Sequence, residues 1–149
     1  MTKSGAPTPA EIEQRLLDLA SELPQVNGTA QEWFLGRGAA IAPMLAEALN
    51  DKRLGSVAHW RILLLLRELR VESTLPAVLA ALRSGDPIAR PGAMEALAVF
   101  PGEQATEALT ALLDDPDADV VRHARALLRQ MVQRRAAADV SDATARPAP

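Results

Sequence analysis

Residues Ala108 to Leu128 read ALTALLDDPDADVVRHARALL, and this stretch decides the fold. An apolar segment closing at Leu113 meets the polar break Asp114-Asp115-Pro116-Asp117, after which a second apolar pattern begins at about Ala118. Within that second pattern Ala124 and Leu128 stand four residues apart, which places them on one face of a helix. Working outward, the same arrangement recurs twice upstream. Leu45-Ala-Glu-Ala-Leu49, Val78-Leu-Ala-Ala-Leu82 and Leu109-Thr-Ala-Leu-Leu113 superpose at offsets of 33 and 31 residues. Pro43 and Pro76 each lie two residues before the first apolar position, where proline suits the first turn of a helix, and Glu107 takes that place in the third copy.

Each of these first helices is followed by a polar break: Asn50 to Arg53, Ser84 to Pro87 and Asp114 to Asp117. A second helix then follows, predicted over roughly Ser56 to Leu69, Ile88 to Phe100 and Ala118 to Arg135. All three carry Ala near the start and a large aliphatic residue four positions on: Ala58 and Ile62, Ala93 and Leu97, Ala124 and Leu128. A period in the thirties made of two helices and two short turns specifies a helical solenoid, because no single hairpin can bury its apolar face until a neighbour stacks on it. Ile62 to Leu66, five aliphatic residues in a row, occupies more than one face of its helix and is expected to be buried between neighbouring pairs.

The composition agrees. The 149 residues are 48% hydrophobic and 23% charged, with only 3% aromatic residues, so Ala and Leu supply the core and helix is favoured over strand. With no cysteine there is no disulfide framework, thiolate metal site or thiol nucleophile, and two histidines leave little for a metal centre. The formal charge of -3 is unevenly spread: residues 1–119 carry 10 basic and 17 acidic groups, whereas residues 120–135 carry five arginines and no acid. No apolar run approaches the length of a membrane span or a signal-peptide core, and a cytoplasmic location is expected.

Ahead of the repeats, Thr8 and Pro9 read as the cap and first position of a helix reaching about Leu23, where Pro24 stops it. Gln25 to Gly28 reads as a turn, and Thr29 with Glu32 as the capping box of a short helix ended by Gly36 and Gly38. The expected organisation is therefore a disordered segment 1–8, a repeat domain over 9–135 and a disordered tail over 136–149. The domain divides into an N-terminal cap or degenerate unit (9–37) and pairs at 38–70, 71–101 and 102–135. That makes an all-α fold, a right-handed α-α superhelix of about three and a half helix pairs.

The third copy resembles the bacterial HEAT-like repeats of the phycobilisome-lyase type, whose hallmark is an apolar helix, an Asp-Pro-Asp break, Val-Arg, then Ala and Leu. Here those elements are Asp115-Pro116-Asp117, Val121-Arg122, Ala124 and Leu128. The second copy departs by having Pro91 and Gly92 where Arg122 and His123 stand, which predicts a distorted or delayed helix start. The first copy lacks both the Asp-Pro and the Val-Arg elements. What the resemblance implies is a superhelical scaffold that binds other macromolecules; a fold of this kind predicts a surface and not a reaction.

The leading reading is accordingly a non-enzymatic module that binds a protein partner without a cofactor or metal. Its second helices would present a concave surface including Arg61, Glu68, Arg90, Met94, Glu95, Arg122, Arg125 and Arg129. Arg122, Arg125 and Arg129 fall on one side of the last helix, so nucleic-acid binding, as in HEAT-like DNA glycosylases, is the alternative; the acidic chain and its two lysines speak against it. A lyase-associated subunit ranks below both. Asp115, Asp117 and Asp119 imitate the start of a calcium loop, but Val120 stands where glycine is needed and Ala126 where a bidentate Glu is needed, so helix capping is the better account. His59 beside Trp60, and His123, read as isolated structural residues, and Trp33 with Phe34 as a cover over the open end of the core.

Overall fold

The computed structural model describes residues 5–145, and among these every regular element is helical. Eight α-helices form four consecutive pairs: α1 (Pro9–Asp18) with α2 (Pro24–Arg37), α3 (Ala42–Ala48) with α4 (Gly55–Leu69), α5 (Leu75–Arg83) with α6 (Arg90–Leu97), and α7 (Glu103–Ala111) with α8 (Ala118–Ala145). The second helices α2, α4, α6 and α8 pack one on the next, with the α4–α6 contact the most extensive in the molecule. The fold is an all-α helical solenoid, as the repeat pattern specifies.

The N-terminal unit is itself a helix pair, α1 with α2. Thr8 caps α1 with Glu11 in the reciprocal arrangement expected of a capping box: the Thr8 amide donates to Glu11 Oε2 at 2.8 Å and the Glu11 amide to Thr8 Oγ1 at 3.2 Å. The helix ends at Asp18, five residues before Leu23; Pro24 holds Leu23 in an extended conformation (ψ 115°) and itself opens α2. Residues 25–28, expected as a turn, are thus the first turns of a 14-residue helix. Thr29 lies inside that helix, its hydroxyl donating to the Gln25 carbonyl at 2.6 Å instead of capping. Gly38, at φ 68°, ends α2.

In the repeats proper, α4 matches its expected bounds within a residue. Ile62, Leu63 and Leu66 are fully buried and Leu65 nearly so, which meets the expectation for the aliphatic run. In contrast α6 is shorter than expected. Pro91 sits in its first turn, so residues 86–89 form a turn and the helix begins only at Arg90. Gly92 has a packing reason as well. A Cβ added there would meet Trp60 Cδ1 at 2.9 Å and the Trp60 carbonyl oxygen at 3.3 Å, so the missing side chain is what lets α6 lie close on α4.

The three polar breaks share one device. Asp51, Asp86 and Asp115 each accept, through Oδ1, the backbone amide two residues on: Arg53 at 3.0 Å, Ile88 at 2.9 Å and Asp117 at 2.9 Å. Two of them also clip their pair to the preceding one. Ser56 Oγ donates to Asp86 Oδ2 at 2.6 Å, and Arg90 Nη2 pairs with Asp115 Oδ2 at 2.5 Å. These bonds hold all three carboxyls below their ordinary pKa. The Arg53 side chain is the main cause at Asp51, the Ser56 hydroxyl at Asp86, and the Asp117 amide, ahead of Arg90, at Asp115. Asp115 and Asp117 of the third break are therefore occupied in helix entry, since Asp117 Oδ1 also accepts the Asp119 amide at 2.9 Å.

The last helix outruns its expected end. It continues to Ala145 through a segment rich in alanine, the strongest helix former, although no described hydrophobic side chain beyond Met131 packs on the core. Residues 136–145 of the expected tail are thus helical. Residues 1–4 of the expected N-terminal segment and 146–149 of the tail lie outside the described residues.

Candidate binding groove

Three second helices from three consecutive pairs converge on one groove of about 420 Å³, lined by Arg67, Glu68 and Arg70 near the end of α4, Glu95 and Val99 in and after α6, and His123, Ala126 and Gln130 on α8. A chain of charged groups crosses it. Arg67 Nη1 lies 2.9 Å from Glu95 Oε2, and His123 Nε2 lies 3.7 Å from Glu95 Oε1, so one carboxylate on the middle helix faces a base from each neighbour. Arg67 also reaches Glu68 Oε1 at 3.2 Å. At the far end Arg134 Nη2 donates to the Ala98 carbonyl at 2.7 Å, tying α8 to the end of α6. All three members of the Arg67–Glu95–His123 chain remain about a third exposed, so solvent screens them and each adds little to stability. Side chains so placed are open to a bound partner.

The eight residues read from sequence as one surface separate into several roles. Glu68 and Glu95 line the groove. Arg61 is engaged elsewhere: its Nη1 donates to the carbonyls of Leu19 and, at 2.9 Å, of Ser21, which ties α4 to the chain leaving α1. Arg90 serves the Asp115 clip between pairs. Met94 is 1% exposed and belongs to the core, which corrects its assignment to the surface. Arg122, Arg125 and Arg129 are exposed on one side of α8, with Arg122 paired to Asp119, and they line a side away from the one on which His123 meets Glu95. The basic ridge stays on α8, because the positions in α6 that correspond to Arg122 and Arg125 are Pro91 and the buried Met94.

Sequence reasoning missed Arg67, His123 and Arg134. Arg67, Glu95 and His123 are separated by 28 residues at each step and lie on different helices, so no local pattern joins them. His123 is not isolated, contrary to expectation. His59 does play the structural role expected of it, with Nε2 2.9 Å from the Asp51 carbonyl oxygen. Phe34 is fully buried, and Trp33 packs edge-on against it at 5.1 Å with the Arg37 guanidinium 4.4 Å from its ring centre, which agrees with a covering role at the N-terminal end. No helix among the described residues is long and apolar enough to cross a membrane.

Comparison with known proteins adds one finding. A family model described as HEAT repeats matches residues 42–130, more than half of the chain, from the start of α3 well into α8. No curated protein matches it.

Proposed function

Since the chain belongs to the HEAT-repeat family, we propose that it is a non-enzymatic scaffold that binds a protein partner along the groove across α4, α6 and α8. The observation that carries this reading is the Arg67–Glu95–His123 chain: three consecutive repeats contribute partly exposed, mutually oriented polar groups to one continuous surface. Proteins of this fold generally act as interaction scaffolds, because stacked repeats create an extended surface whose side chains vary independently of the core. The Asp-Pro-Asp and Val-Arg elements of the third repeat support placing the protein among bacterial HEAT-like repeats of the phycobilisome-lyase type, acting in the cytoplasm.

The test is affinity capture from the native source with two baits, the natural chain and a groove-blocked variant carrying Glu68→Arg and Ala126→Trp. Both positions are exposed, so the variant keeps its fold, which far-ultraviolet circular dichroism checks. A partner retained by the natural chain and lost with the variant supports the reading. Equal recovery by both baits sinks it.

A further inference from the structure

Arg70 breaks a rule that the rest of the chain keeps. Among the described residues positive φ is otherwise confined to Gly38, Gly55, Gly85 and Gly102, yet Arg70, directly after α4, stands at φ 53° and ψ 41°. Glycine takes this left-handed conformation freely, whereas a residue with a side chain is strained there. The Arg70 amide closes α4 on the Leu66 carbonyl at 3.0 Å, a bond that glycine would make equally well. A cation at the negative end of α4 is already supplied by Arg67. The Arg70 side chain is exposed and forms no hydrogen bond or ion pair with a described residue. What it does is line the groove across α4, α6 and α8. Strain kept where glycine would relieve it is accounted for by what the side chain reaches.

The charges around it fall into two groups. Glu68 and Glu95, the acids of the groove, both converge on Arg67, at 3.2 and 2.9 Å. Arg134 lines the same groove as Arg70, and Arg135 joins Arg134 in an adjoining hollow that shares Ala98 and Val99 with it. No described carboxylate pairs with Arg70, Arg134 or Arg135, and that includes Asp139, one turn beyond Arg135 on α8. Besides His123, the two hollows together hold four arginines and two glutamates, an excess of positive charge on a chain whose formal charge is -3. A polypeptide suits this mixture better than a nucleic acid. Glu68 and Glu95 accept hydrogen bonds from peptide amides but repel phosphates, while the arginines hold carboxylates.

Resting on the groove reading above, we propose that the partner presents an acidic segment, with its Asp or Glu carboxylates held by Arg70 on one side and by Arg134 and Arg135 on the other. Arg134 spends one nitrogen on the Ala98 carbonyl and keeps further donors for a ligand. Arg70 is the residue that sets the preference for acid, and the strain of its backbone is the cost of placing a guanidinium there.

The test is selection of random phage-displayed peptides on the immobilised full chain, followed by fluorescence anisotropy with the enriched peptides made synthetically. Enrichment in Asp and Glu is expected, with binding abolished by Ala126→Trp, which fills the groove without changing its charge. Arg70→Gly is expected to weaken binding about tenfold and to raise the melting temperature by a few degrees, because it removes guanidinium and strain together. A merely structural Arg70 cannot give that pair of opposite shifts. Arg125→Gln with Arg129→Gln, on the other side of α8, is expected to change affinity by less than about twofold. Peptides without an acidic excess that are lost with Ala126→Trp overturn this inference and leave the groove reading standing. Acidic peptides whose binding survives Ala126→Trp count against both. The inference is equally overturned if no peptide is enriched, if Arg70→Gly binds undiminished or melts lower, if loss of Arg125 and Arg129 matters as much as loss of Arg70, or if a single-stranded oligonucleotide at equal concentration displaces the peptides.

Discussion

Helices α4 and α8 hold the same place in their repeats and have opposite surroundings. In α4, Ala58, Ile62, Leu63, Leu65 and Leu66 are buried on several faces, because pairs stack both before and after it. Among the described side chains of α8 only Ala124 and Leu127 are buried, although the helix is almost twice as long. The intermediate helix α6 makes the cause plain. Met94 of α6 and Arg125 of α8 are equivalent positions; Met94 is 1% exposed, beside residues of the following pair, and Arg125 is exposed on a helix with no following pair among the described residues. Position in the stack, and not position in the repeat, decides which side chains become core.

Exchanging the two residues tests that statement most strongly. Met94→Arg puts a charged side chain where one only 1% exposed packs in the core, and is expected to lower unfolding free energy in denaturant titrations by about 3 kcal/mol. The reverse change, Arg125→Met, is expected to alter it by less than about 0.5 kcal/mol. Similar effects at the two positions would break the comparison.

The close approach of α4 and α6 gives the next largest effect. Gly92→Ala adds a methyl group against Trp60, and the strain of overpacking, about 1–3 kcal/mol, exceeds the gain of about 1 kcal/mol in helix propensity. Net destabilisation is expected, and Trp60→Leu in the same chain should recover part of it. A Gly92→Ala protein with a raised melting temperature would show that the junction has slack.

A smaller effect should follow from acid. Asp86 and Asp115 have lowered pKa values, so the unfolded chain binds more protons than the folded one as pH falls, and folding loses stability. Their contribution is complete above the ordinary carboxylate value of 3.8 and is lost as pH falls through the lower folded-state values. Asp86→Asn should flatten that acid limb in a series of melting temperatures against pH, and an unchanged slope would assign the acid sensitivity to other carboxylates. Smallest of all, ending the chain after Arg135 should leave the melting temperature of the dilute protein unchanged while helical circular dichroism falls, since no hydrophobic side chain described beyond Met131 packs on the core. A marked loss of stability would show that this segment has an intramolecular seat.

The sequence revealed the repeats because their information is local: apolar spacing, proline in the first turn and an aspartate at each break all act within a few residues. Pro24 shows where local reading divides, since proline both stops one helix and starts another, and choosing only the first role hid the start of α2 and left only its later part as a short helix. The groove was less legible. Glu68 and Glu95 were found by following the faces of the second helices, but Met94 was misplaced by treating α6 as though it were terminal. His123 and Arg67 meet through Glu95 only once three repeats are stacked, and no spacing within a helix encodes that meeting.

The clips at the breaks also set how the molecule yields under load. The junction between α4 and α6 combines the most extensive helix contact with the Ser56–Asp86 bond, so it resists both sliding and rotation. The junction between α6 and α8 has a smaller contact and relies on Arg90–Asp115, Glu95–His123 and Arg134, bonds that water can replace one at a time. A beam built from one stiff joint and one compliant joint bends at the compliant one. The groove spans both, so a load that widens it falls first on the junction between α6 and α8.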